Sequence, residues 1–401
     1  MENVRFMWKL ICVLIGLSCL LTGCWDRVEV NDLALITAAG IDQKSSKKIE
    51  LSVQVFIPRG AGGSSQQGMY GGGSGSTGGL TFVRSAEGLT IVDAMTKLQE
   101  KLPRRVFWGH TEVFIISRTL AEQGIRNHLD FMVRHPQVRI GAYVFISDKE
   151  AKRALELMPP LERSSSEVLR ELAKSKAMLK VTLKDLSASM IGDTGASALP
   201  WITELPAEEG KNKNNTVPYI TGTAIFKKDK MVGHIDDTLT RGALWLRDEV
   251  ESAVVTHTPK EANGFVSMKL IEARSELIPH IDNGKWSVTL RGVTEDDIIQ
   301  NATNLDLMNP KHLGSLELQL KQNIEARVRA CLEQVQKKMN ADVFDFAGAF
   351  HRKYPKEWQQ VKDRWDEVFP EVEVNFDLKA YVRRPGISTG PAGVPENEVK
   401  H

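Results

Sequence analysis

The chain is poor in cysteine, with four in 401 residues. Cys12 and Cys19 lie in the apolar start, which leaves Cys24 and Cys331 for everything that follows. Two thiols cannot build a disulfide framework, so the fold must stand on its core. An excess of either charge is also missing: Lys and Arg number 52, Asp and Glu 51. That balance removes the electrostatic footprint of a nucleic-acid binder and any charge-driven hold on an anionic membrane. Beyond the first two dozen residues no apolar run approaches the roughly 20 residues of a spanning helix. Nor is there an HExxH, a CxxC or a GxSxG, so motif-borne zinc or nucleophile chemistry is excluded. The closest histidines, His128 and His135, fall on a predicted helix and just beyond it, and ordinary packing outweighs metal binding there.

What the chain does have is a distinctive start. Arg5 and Lys9 form a basic region, Leu10 to Leu21 an apolar core, and Leu21-Thr22-Gly23 stand before Cys24. This is the order of a secretory signal peptide, with a core too short to span a bilayer. A leucine, a small residue and a glycine before a cysteine form a lipobox. The expectation is that residues 1–23 are removed and that Cys24 carries a thioether-linked diacylglycerol and an N-acyl chain. Two chains already make a stable anchor, on the extracytoplasmic face. Without the leader the charges balance at 50 of each sign. No other cofactor is expected.

The pattern predicts an α/β (α+β) chain of mixed sheets and helices, in about three domains. Residues 24–163 alternate strands and helices. Leu33–Ile41 and Leu51–Ile57 read as a hairpin, Leu80–Arg84, Glu112–Ser117 and Arg139–Ile146 as strands, and Leu89–Leu102 and Thr119–Val133 as helices, with Asp148 suited to cap a short helix after them. The stretch 60–79 is half glycine and reads as a flexible insert. A helical region from Ser164 to Met190, a strand at Trp201–Leu205 and a polar linker, Pro206–Pro218, make up 164–217. The last domain, 218–384, opens with a hairpin, Thr221–Phe226 and Lys230–Ile235, then a helix at Thr238–Leu246. Strand-like runs follow at Ala253–Thr256, Phe265–Leu270 and Trp286–Arg291. Asn309-Pro310 opens a helix over about 311–339, with an apolar stripe from Leu313 to Met339. Two short helices and a strand, Glu371–Val382, complete it. The Pro- and Gly-rich tail, 385–401, is expected to fray.

Other features have bland readings that outweigh functional ones. Gly73-Ser-Gly75-Ser-Thr-Gly78 matches a dinucleotide fingerprint as a string, but a strand follows it where a helix is required. Asp236-Asp237 and Glu295-Asp296-Asp297 fit capping at turns and helix starts better than acid/base work or calcium. Arg104-Arg105 fits a helix end better than an anion site. Cys331 sits on an apolar face. Trp245, Trp358 and Trp365 are candidates for partner contact, where Trp is enriched, although a core or interdomain plug is the stronger reading.

Four blocks carry a family resemblance. The lipobox runs into Cys24-Trp25-Asp26-Arg27-Val28-Glu29-Val30-Asn31-Asp32-Leu33-Ala34. Phe107-Trp108-Gly109-His110 continues to Arg134 and Arg139. Gly222-Thr-Ala-Ile-Phe226 leads through Met231-Val-Gly233 and Thr240-Arg241-Gly242 to Leu244-Trp245-Leu246. Ala341-Asp342-Val-Phe344 runs on to Tyr354-Pro355, Trp358, Trp365 and Phe369. Together they resemble GerAC-type spore germination lipoproteins from Cys24 to about Arg384. The departures are Asp345 and Ala347 in place of glycines, His234 and Asp237 in place of an aromatic and a glycine, and the long insert. The resemblance implies the C subunit of a nutrient germinant receptor in the inner membrane of a dormant bacterial spore. Its partners would be two integral membrane subunits, a channel-like A subunit and a transporter-like B subunit. No catalytic residues come with the resemblance, and a non-enzymatic assembly role is expected. The alternatives are a nutrient-capturing, solute-binding lipoprotein and a cell-wall hydrolase, the latter without a carboxylate pair or metal site to support it.

Overall fold

The computed structural model describes residues 3–11, 29–57, 81–210, 212–384 and 391–400. The expected hairpin forms: β1 (Leu33–Ser45) and β2 (Lys48–Phe56) run antiparallel with Ile41 opposite Leu51. Strand β3 (Thr81–Gly88) adds to β2, and α1 (Ile91–Glu100) follows, with the Thr90 side chain accepting from Asp93 N. The short β4 (Arg105–Phe107) and then β5 (Val113–Ser117) lie parallel to β1. The helix expected over 119–133 is two helices, α2 (Arg118–Gln123) and α3 (Arg126–Arg134). It breaks at Gly124, whose φ of 130° is open only to glycine, and where an added Cβ would stand 2.7 Å from Asp229 Oδ2.

Strand β6 (Tyr143–Ser147) is shorter than expected and parallel to β5. Helices α4 (Ala151–Leu155), α5 (Ser165–Lys174) and α6 (Leu183–Ile191) then lead to β7 (Ala196–Glu204), parallel to β6. β5 is buried on both faces, which is why its sequence is a continuous apolar run. Val113, Ile115 and Phe145 meet α4 and α5 through Ala151, Leu155 and Leu169. Phe114 and Ile116 belong to the larger cluster on the other face, with Leu98, Leu120, Met132 and Leu186.

The polar stretch expected as a linker does not leave this sheet. It joins β7 to β8 (Pro218–Lys227), which pairs antiparallel with β7 and then with β9 (Lys230–Asp236). The order is β3-β2-β1-β5-β6-β7-β8-β9, with β4 beside β1. The hairpin that opens the expected 218–384 domain is therefore the far edge of the first sheet.

Helix α7 (Asp237–Leu246) leads to a second sheet of four strands: β10 (Val254–His257), β11 (Val266–Asp282), β12 (Lys285–Asn301) and β13 (Glu373–Arg384). The central hairpin strands have 17 residues each, far longer than the apolar runs that announced them. Their outward positions carry Glu272, Arg274, Glu276 and Arg291, all exposed, so only alternate residues signal burial. Helix α8 (Pro310–Leu332) starts as expected, Asn309 Oδ1 accepting from Lys311 N at 2.9 Å. Its stripe of Leu316, Leu320, Ile324, Val328 and Cys331 is buried. A π turn over Glu333–Lys338 follows. It brings both Val335 and Gln336 inward, and Gln336 Nε2 donates to Phe369 O and Val372 O at 2.7 and 2.9 Å. Helices α9 (Phe346–Lys353), α10 (Pro355–Val361) and α11 (Trp365–Val368) complete the chain before β13.

The expectation of a frayed tail fails for its last residues. Lys400 N donates to Asn304 O at 2.8 Å, and Asp306 N to Lys400 O at 2.9 Å. The pairing works because Asn304–Asp306, just after β12, offers an open backbone edge. One hydrophobic cluster runs from β1 through both sheets to Val382.

Candidate functional site

Cys24 and the lipobox residues Leu21, Thr22 and Gly23 lie outside the described residues, as does the insert 60–79. Among the described residues no helix is long and apolar enough to cross a membrane. The three tryptophans considered for partner contact are internal: Trp358 is 1% exposed, Trp365 5% and Trp245 7%. Partner contact through these rings is corrected to core packing. Trp358 and Trp365 meet edge to face at 5.1 Å, and Trp365 touches Trp286, Phe350 and Phe369. Trp245 lies under β12 against Gly292.

At the centre of the aromatic cluster stands Asp342, a residue that sequence reading singled out only as part of a motif. Its carboxylate accepts from Phe346 N at 3.1 Å, Ala347 N at 2.8 Å and Trp365 Nε1 at 3.1 Å. These donors satisfy the first turn of α9 and the buried indole together. Burial pushes the carboxyl up to about 6, against the pull of those hydrogen bonds.

Open α/β sheets hold ligands beyond the carboxyl ends of their parallel strands. In this chain one part of that place, the start of α4, is filled from within. Asp42, at the end of β1 and 4% exposed, accepts from Ala151 N at 2.6 Å and Lys152 N at 3.0 Å. These are the free donors at the start of α4, a position suited to an anion. Asp42 from a distant strand thus takes the capping role expected of Asp148. Burial raises its pKa above the ordinary carboxylate value. In the neighbouring cleft Glu204 receives Lys149 Nζ at 2.6 Å and Arg153 Nε at 2.9 Å, so both cations that line it are paired.

The third centre lies where α7 meets α8. Asp236 caps α7 as expected, accepting from Leu239 N at 2.9 Å. Gly242 lets the two helices touch: an added Cβ would stand 2.5 Å from Arg327 O and 2.9 Å from Cys331 Cβ. This contact brings Arg241, the residue before it, to the cleft that Arg327 also lines. The cleft floor includes Thr294 and Asp296 of β12. The expected capping role of Glu295-Asp296-Asp297 is corrected here, because the three lie within a strand and alternate between its faces. Glu295 faces out and pairs with Arg383. Asp296 faces in, 2% exposed, and takes the Thr294 hydroxyl at 2.6 Å. Among the described residues no group of three or more His, Cys, Asp or Glu is placed to hold a metal.

Two family patterns match the chain. Residues 26–204 match a spore germination protein N-terminal domain. Residues 221–386 match a C-terminal domain described as spore germination B3/GerAC like. Spore germination protein KC of Bacillus subtilis (strain 168) is 28% identical over 400 residues, covering 95% of this chain and 97% of that protein. The putative spore germination protein YfkR of the same organism is 30% identical over 380 residues, covering 94% and 96%. The crystal structure of the GerBC protein has the same fold, with a TM-score of 0.56 at 17% identity over 86% of this chain and 96% of that one.

Proposed function

Since the chain belongs to the GerAC-like family of spore germination proteins, we propose that it is the lipid-anchored, extracytoplasmic subunit of a nutrient germinant receptor. Cys24 carries the lipid, and the folded body docks on the integral membrane subunits, the channel-like A and transporter-like B proteins, to hold the receptor together or pass on its signal. The role in spore germination follows from the family. The observation that supports the finer reading is the match to spore germination protein KC, which runs over 95% of this chain and 97% of that protein.

The test replaces Cys24 by Ala in a tagged chain and compares spore membrane fractions. The unmutated chain should stay with the membrane and recover two polytopic proteins, and Cys24→Ala should lose both. Recovery of no membrane partner by the unmutated chain overturns the subunit reading. Unchanged membrane retention of Cys24→Ala overturns the lipid.

A further inference from the structure

Arg241 of α7 and Arg327 of α8 line one cleft with Asp296, Asn323, Trp245 and Ile324. Neither guanidinium has a hydrogen bond or ion pair with any described residue. Both are half-buried. Burial, the nearby Arg241 and too little relief from Asp237 hold the Arg327 guanidinium below its ordinary value. Two half-buried cations brought together with Asp237 nearby, but with neither of them in an ion pair or hydrogen bond with a described residue, are costly.

The same cleft has acceptors in want of donors. Asn323 Oδ1 is buried with no partner among the described residues, one turn before Arg327 on α8. Among the described residues Asp296 receives only the Thr294 hydroxyl, which leaves most of a carboxylate's accepting capacity unused. Apolar walls complete the lining.

We propose that this cleft binds a small organic acid with a hydrogen-bond donor on its α-carbon, an α-amino or α-hydroxy acid. The carboxylate lies on Arg241 and Arg327, whose planar forks suit it, and the donor lies on Asn323 Oδ1 and Asp296. The space open to the centres of water-sized bodies is about 40 Å³. One water needs ~10–15 Å³, so the cleft has room for about three, which restricts the ligand to the smallest acids and shuts out a peptide. Gly242 is what builds the site, because no other residue lets α7 approach α8 closely enough to pair the two arginines.

The inference does not rest on assembly with other subunits, so the purified full chain in detergent is enough. Its failure leaves the receptor-subunit reading standing. Calorimetric titrations would use L-alanine, L-lactate, propionate and ethylamine. L-alanine or L-lactate should bind, with propionate at least about tenfold weaker and ethylamine silent. The stronger of the first two decides between amino and hydroxy donors. Arg327→Gln and Arg241→Gln should each weaken binding about tenfold or more, and Asn323→Leu should erase the preference over propionate. Should a glutamine variant unfold, Arg327→Lys, which keeps the charge and loses the fork, should still weaken binding at an unchanged melting temperature. No binding of either acid up to about 10 mM, or binding that survives Arg241→Gln and Arg327→Gln together, overturns the proposal.

Discussion

Asp342 is the residue on which the aromatic core turns, and its ionisation should be visible in the stability of the whole protein. Its folded-state pKa, about 6, lies above the 3.8 of an unperturbed Asp. The folded state therefore prefers the protonated form. That contribution is full below pH 3.8 and is lost as pH rises through about 6. Asp342→Asn removes the titration. The stability of the unmutated chain relative to the variant should fall by up to about 3 kcal/mol on going from acid to neutral pH. Urea unfolding of both proteins near pH 4 and pH 7 measures this, and a constant difference would show that the carboxyl titrates normally. None of it could be read in the sequence, where Asp342 is one acid among 51 acidic residues and its donors, Phe346, Ala347 and Trp365, come from later turns. Two of the family departures, by contrast, explain themselves. Asp345 adopts a left-handed φ of 67°, the conformation that a glycine there would favour, and pairs with Arg352 at 3.0 Å. His234 supplies a ring that stacks on Trp201 at 4.6 Å, in place of the aromatic.

At the scale of elements, two glycines of the α7–α8 pair should answer oppositely to the same change. Gly242→Ala forces a methyl against the α8 backbone and should cost about 1–3 kcal/mol. Gly314, on α8 with nothing within 4 Å of an added Cβ, should gain about 0.5–1 kcal/mol on becoming Ala. Thermal melts of the two variants separate a packing contact from helix propensity, and a shift of the same sign in both would discard the close-approach account. Elements with a strong period were legible: the stripe of α8, its Asn309-Pro310 start and the β1–β2 hairpin all stand where the pattern put them. The long β11–β12 hairpin was not, because charged residues on its open face hide the alternation. The helix break at Gly124 was also hidden, since the next residue's N–H is taken by Asp229 O at 2.9 Å, more than a hundred residues away.

At the scale of the molecule, composition suggested a boundary at 206–217, and pairing carries the sheet across it. β8 is held by β7 on one side and β9 on the other. A fragment beginning at Pro218 would expose the full β7-facing edge of β8, a template for association with other chains. Such a fragment should aggregate or melt without cooperativity, while the whole chain unfolds in one step. A monomeric fragment with a sharp melt in size-exclusion and calorimetric experiments would show instead that the second half stands alone. The cleft between α7, α8 and β12 was illegible for a related reason. Arg241, Asp296, Asn323 and Arg327 come from two helices and a strand, and only the assembled second sheet brings them together.

The place of β1 has a mechanical consequence. The chain enters the fold through β1, which lies inside the sheet with β2 on one side and β5 on the other. A tug transmitted from the N-terminal side would run along the strand and load both rows of hydrogen bonds in shear, many at once. It would not unzip an outer strand bond by bond. A pull on this end would therefore meet interior pairing first, while the outer strands β3 and β9 lie at the two edges of the sheet.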